Sequence, residues 1–166
     1  MPHLIVTYTG QLDAETDMRA LCRQLAHTLR TVPDDAGKPA FPTGGIRVLA
    51  YPSAHHAVAD DGAAGAAASG QDDYAFMYLN LRMGKGRSLA TQQRAGDAIA
   101  QTTHAHMAGV MAKRYLGITV QVDVGQEATA RQPCQPCPWA RPGGRSWLAA
   151  RHPSPARGWH WPWFAR

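Results

Sequence analysis

Long apolar runs are missing from this chain. No segment of its 166 residues approaches the roughly 20 consecutive apolar residues that cross a bilayer. Nor does a basic stretch followed by an apolar one stand at the start, as a secretion signal would require. A cytoplasmic protein with no membrane partner is the expectation. Cysteine is scarce, with three in all. Cys22 falls in a helical pattern and reads as a small core residue. Cys134 and Cys137 form a C-x-x-C pair, but a zinc site needs two further ligands. His152 and His160 stand eight residues apart rather than roughly three to five, so free thiols and no metal are expected. Acidic residues and lysine are absent between Arg131 and Arg166, where six arginines occur. Without those six, the 17 basic residues fall to 11, against 12 acidic ones. The net charge of +5 therefore belongs to the tail, and a nucleic-acid partner is not expected.

What remains has the size and apolar content of one ordinary domain, 45% hydrophobic. Pro2–Tyr8 is β-branched and aromatic and predicts a strand. Met18, Leu21, Cys22, Leu25 and Leu29 recur at helical spacing, which predicts a helix over Asp13–Thr31, stopped at Val32-Pro33. A Gly/Pro loop over 36–45 follows. Ile46–Tyr51 predicts a second strand, closed by Pro52. Residues 53–73 are rich in Ala, Gly and Asp; GAAGAAASG at 62–70 has almost nothing to bury and predicts a mobile loop. Tyr74–Met83 predicts a third strand. Ser88 is a good N-cap for a long helix from Leu89 to about Tyr115, and Ile118–Val124 alternates as a fourth strand. Two consecutive β-α-β units are implied, with parallel pairing inside each. The fold class is α/β (α+β): a four-stranded sheet with two helices on one face. The other face, given the apolar content of YAFMYLNL, predicts contact with a neighbouring subunit.

Past Glu127 the composition changes. All five Trp lie between Trp139 and Trp163, and seven of the 12 Pro between Pro133 and Pro162. Residues 1–127 read as one domain, and 128–166 as an irregular, disordered appendage. An out-of-frame gene end and a genuine extension binding RNA or an acidic surface both produce such a mixture; resequencing distinguishes them.

The second residue carries the most distinctive chemistry. Methionine is normally removed before a small second residue, which would leave Pro2 as the N-terminus. A proline amine is a secondary amine held by a ring. Burial among apolar groups, or cations nearby, lowers an amine's pKa and makes it a neutral base near pH 7, where general acid–base catalysis works best. A bare Met-Pro start is also what a proline that simply opens a strand would give. Here it leads into a strand expected at the centre of the sheet, which would fix the amine rigidly. Arg47, at the entry to strand two, and Arg87, between strand three and the second long helix, are suited to grip carboxylates bidentately. His3 should point away from Pro2. His55, His56, His104 and His106 read as solvent-exposed, and Phe76 and Tyr78 as core or subunit contact.

The segments PHLIV at the start, GIR at 45–47, DDYAFMYLNLRMGKGRSL at 72–89 and QQRAG at 92–96 resemble 5-carboxymethyl-2-hydroxymuconate isomerase, of the tautomerase superfamily. The resemblance spans about residues 2–124. It implies a β-α-β-β-α-β subunit in a homotrimer, an amino-terminal proline as catalytic base at Pro2, and arginines for substrate carboxylates at Arg47 and Arg87. It implies no metal or cofactor, and a place in homoprotocatechuate breakdown. The GAAGAAASG insertion and the tail depart from the family pattern. A tautomerase for another enol acid, and a non-catalytic trimeric binding protein or decayed gene product, are the alternatives.

Overall fold

The computed structural model describes residues 1–70 and 73–126. The readings made for residues 128–166, with Cys134, Cys137, His152 and His160, lie outside the described residues.

Four strands make one sheet: β1 (His3–Thr9), β2 (Arg47–Ser53), β3 (Ala75–Gly84) and β4 (Leu116–Gly125), in the order β2-β1-β3-β4. β1 pairs parallel with β2 and antiparallel with β3, and β3 pairs parallel with β4. The strand headed by Pro2 is therefore internal. Each parallel pair is joined by a long helix, α1 (Met18–Thr31) in the first unit and α3 (Leu89–Met111) in the second.

Alternation along the strands decides which face is buried. Leu4, Val6 and Tyr8 of β1 and Met77, Leu79 and Leu81 of β3 are buried. Against them pack Met18, Leu21, Leu25 and Leu29 of α1 and Ala95, Ile99, Met107 and Val110 of α3. Burying one such aliphatic side chain stabilises by about 1.5–3 kcal/mol. The two helices also meet through the Thr28 and Thr102 hydroxyls, 2.8 Å apart. Cys22 is half-buried rather than fully in the core, because it lies one step round α1 from Leu21.

The boundaries differ from expectation in four places, each with a physical cause. The first long helix starts at Met18, not Asp13: residues Gly10–Ala14 form a separate 3-10 turn, and Asp17 caps α1 by accepting from Ala20 N at 2.9 Å. Strand β2 continues through Pro52 to Ser53; β2 is an edge strand, where a missing N–H is tolerated. Helix α3 ends at Met111, and β4 begins at Leu116, taking in Gly117. A Cβ on Gly117 would approach Phe76 Cδ2 to 3.2 Å, so glycine lets that ring lie across the strand.

The fourth difference is the insertion. GAAGAAASG is not a mobile loop throughout: Ala63–Ser69 form a short helix, α2, bounded by Gly62 and Gly70 at φ 88° and 74°. Alanine is the best helix former, and left-handed glycine is a common helix terminator. Tyr74 anchors the helix, its hydroxyl oxygen accepting from Gly65 N at 2.7 Å.

Candidate active site at the head of the central strand

Pro2 is buried, on the helix side of the sheet by alternation with Leu4. Its carbonyl accepts from Arg47 N at 3.2 Å, which ties it to the start of β2. Its ring packs on Gly45: a Cβ there would lie 3.6 Å from Pro2 Cδ, 3.5 Å from Met1 Cγ and 3.2 Å from Pro42 Cγ. The loop 39–46 therefore lies against the head of β1; a Cβ at position 45 would be tight only against Pro42 within the loop, and in ordinary contact with Met1 and Pro2. Met1 itself is 46% exposed.

Both candidate arginines grip this same loop. Arg47 Nη1 donates to Gly44 O and Ile46 O, each at 2.9 Å. Arg87 Nε donates to Ala40 O at 3.1 Å and its Nη1 to Gly84 O at 3.2 Å. A guanidinium has five N–H donors, so each arginine keeps three that no described residue takes up. Neither forms an ion pair with a described carboxylate. The two differ in setting. Arg47 is exposed and stands in register with His3, on the sheet face away from Pro2's ring. Arg87 is half-buried, with its Cζ 4.7 Å from the centre of the Phe41 ring.

Arg87 opens into a cleft of about 460 Å³ shared with Asp34, Asp35, Lys85 and Ser88. The carboxylates there are occupied. Asp34 Oδ1 accepts from Ala36 N and Lys38 N, both at 2.9 Å. Asp35 pairs with Arg94 at 2.7 Å, and hydrogen bonds from Ser88 and Arg94 hold its carboxyl below the usual range. Pro2 does not line this cleft, whereas Ala40 of the loop 39–46 does. Sequence reasoning singled out Pro2, Arg47 and Arg87 as candidates and did not single out Phe41, whose ring lies against Arg87, or Gly45, which packs beside Pro2. The signal for Phe41 was one bulky aromatic inside a Gly/Pro stretch.

The remaining candidates are dispersed. His3 is half-buried on the open face, away from Pro2 as expected, and His55, His56 and His104 are exposed. His106 is not free: it bonds Thr16 Oγ1 at 2.9 Å and Gln24 Oε1 at 3.1 Å, bridging α3 to α1 and the turn before it. Among the described residues no group of three His, Cys, Asp or Glu is placed to hold a metal. No described helix is long and apolar enough to cross a membrane. Phe76 and Tyr78 are half-buried on the open face. A second cleft, of about 490 Å³, lies at the opposite end of the sheet from Pro2, between α2 and the rings of Tyr74, Phe76 and Tyr115.

Residues 2–133 match the family model for 5-carboxymethyl-2-hydroxymuconate isomerase. The 5-carboxymethyl-2-hydroxymuconate Delta-isomerase of Escherichia coli is 30% identical over 123 residues, covering 74% of this chain and 86% of its own. A crystal structure of a 5-carboxymethyl-2-hydroxymuconate delta-isomerase is 53% identical with a TM-score of 0.75, covering 80% of this chain and 87% of that one. The 5-carboxymethyl-2-hydroxymuconate isomerase of Deinococcus radiodurans R1 is 31% identical with a TM-score of 0.61, covering 75% and 83%. The β-α-β-β-α-β order and these relatives define the class of protein, an isomerase. Within that class, the chain belongs to the 5-carboxymethyl-2-hydroxymuconate isomerase family.

Proposed function

We propose that the chain isomerises 5-carboxymethyl-2-hydroxymuconate to 5-carboxy-2-oxohept-3-enedioate, with the amine of Pro2 as the proton carrier after Met1 is removed. The burial of Pro2 at the head of an internal strand carries this reading. A base on an internal strand, tied through its carbonyl and packed on Gly45, keeps one position. Loss of Met1 would free the nitrogen and also open the space that Met1 takes beside Gly45.

The neutral amine accepts the 2-hydroxyl proton. Charge spreads through the diene, and the prolinium returns a proton at C5, leaving a ketone at C2 and the double bond at C3–C4. No redox change occurs, so no cofactor is needed. Burial disfavours the charged amine, which supports a neutral base at pH 7. Arg87 opens into a cleft that Pro2 does not line and Arg47 lies on the other sheet face, so the two would reach the end carboxylates across a junction of the proposed homotrimer, with their uncommitted N–H groups, and stabilise the dienolate there. The pathway is homoprotocatechuate breakdown, the compartment the cytoplasm, and the assembly a homotrimer.

The test is an ultraviolet assay of the mature protein on this substrate, with the N-terminus read by mass spectrometry. Pro2→Ala should lower kcat by about 10²–10⁴-fold, the range of one well-placed general base, with the fold intact by circular dichroism. Wild-type turnover by Pro2→Ala, or an active protein that keeps Met1, would defeat the proposal.

A further inference from the structure

We infer that Phe41 is a positioning residue for the substrate, acting through Arg87: its ring face fixes the guanidinium so that the free edge meets a carboxylate as a preformed fork. This rests on the carboxylate-binding role proposed for Arg87.

Phe41 is 1% exposed, and its ring centre lies 4.7 Å from Arg87 Cζ. That is within the roughly 6 Å over which the electron-rich face of a ring attracts a cation. The guanidinium is held at two further points. Nε donates to Ala40 O in the loop and Nη1 to Gly84 O at the end of β3. Two edge bonds and one face contact leave a flat cation little freedom to turn. The three N–H groups left over sit on Nη1 and Nη2, the edge that a carboxylate engages with two parallel bonds. A half-buried cation with no described carboxylate against it needs another source of negative potential when the site is empty, and the ring and the two carbonyls supply it. The arriving anion then finds the fork already oriented, so less rotational freedom is lost on binding.

The element that carries Phe41 makes the arrangement specific. Phe41 and Ala40 belong to the loop that also places Gly45 beside Pro2. One loop therefore sets both the seat of the proposed base and the direction of the proposed carboxylate fork. A residue that only filled volume would serve the core but not the fork.

Fluorinated phenylalanines at position 41 separate the two roles. They keep the ring's shape and weaken its negative face stepwise. The full mature protein would carry 4-fluoro-, 3,5-difluoro- and 3,4,5-trifluorophenylalanine there, each assayed for KM, kcat and melting temperature, alongside Arg87→Ala with and without the trifluoro ring. KM should climb with each fluorine to roughly fivefold, with kcat within about twofold and melting unchanged. In Arg87→Ala, fluorination should no longer move KM. A flat KM series, or one that climbs equally in Arg87→Ala, overturns the role of Phe41 while leaving the carboxylate site standing. An Arg87→Ala protein with unaltered KM removes the site itself, and this inference with it.

Discussion

Arg47 and Arg87 look alike as letters and differ in what they lean on. Arg47 caps two carbonyls from an exposed position, whereas Arg87 is half-buried against a ring. An exposed guanidinium works against solvent screening, and a partly desolvated one does so much less. Arg87→Ala should therefore weaken substrate binding more than Arg47→Ala, by about 1.5–3 kcal/mol for a charge-assisted contact. Inhibition constants for a dicarboxylate competitor would read this, and equal losses at the two positions would contradict it. Pro2, Arg47 and Arg87 could be named as candidates from the sequence because the chemistry proposed for them is in the residue type. Phe41 was not: its contact with Arg87 joins positions 46 apart through a loop that has no periodicity to place them.

Asp17 gives a residue-scale prediction about pH. Its bond from Ala20 N, the largest cause, holds its carboxyl below the ordinary value of 3.8. A carboxyl depressed in the folded state stabilises fully above its unfolded pKa and loses that contribution as pH falls through the folded one. The window therefore opens near pH 4 and lies below it. Asn still caps a helix but does not titrate in this range. Asp17→Asn should track the wild type at neutral pH and show a shallower fall in melting temperature below about pH 4. A fall as steep as the wild type's would mean that Asp17 is not linked to folding.

At the scale of elements, helical spacing located α1 and alternation located β4, because each buries one face and the burial writes its own spacing, while β-rich composition located the other strands and the Ser88 cap located α3. What period could not supply was where each element stops. Helix α1 begins at the residue after Asp17, since Asp17 and not Asp13 reaches a backbone N–H. Strand β2 runs past Pro52 because it is an edge, and edge status depends on the sheet order. Helix α2 was missed because five alanines and a glycine offer propensity without a hydrophobic stripe; Tyr74, nine residues from Gly65, supplies the anchor. Helix α3 offers a clean test of such local terms. Ser88 Oγ accepts from Thr91 N at 3.1 Å, so Ser88→Ala should cost about 1 kcal/mol of folding stability. Leu25→Ala, by contrast, empties a fully buried position of α1 and should cost about 2–5 kcal/mol. Urea titration of both variants checks the ordering, and a Ser88 loss as large as the Leu25 loss would reverse this account of what holds the helices.

At the scale of the molecule, the two faces of the sheet are unequal. One is sealed by α1 and α3. The other carries Ile5, Leu49, Tyr51, Phe76 and Tyr78, with Leu49 44% and Tyr51 50% exposed. Polar residues on that face are knitted together rather than left to water. Asn80, 3% exposed, donates to Asp123 at 2.8 Å and accepts from Arg82 Nε at 2.6 Å; Gln121 donates to Asp123 at 2.7 Å. Pre-satisfied polar groups between apolar side chains are what a surface needs in order to lose its water without a large penalty. The proposed homotrimer would cover this face. In a closed three-fold ring the patches that meet are different ones, so a charge placed on one patch strikes all three junctions at once. Leu49 lies on an edge strand, away from the helices, and its replacement leaves the core untouched. Leu49→Glu should therefore turn a particle of three times the 18.0 kDa chain mass into single chains by sedimentation equilibrium, with each chain's melting still cooperative. Wild-type protein sedimenting as one chain, or Leu49→Glu still sedimenting as three, would rule out assembly through this face.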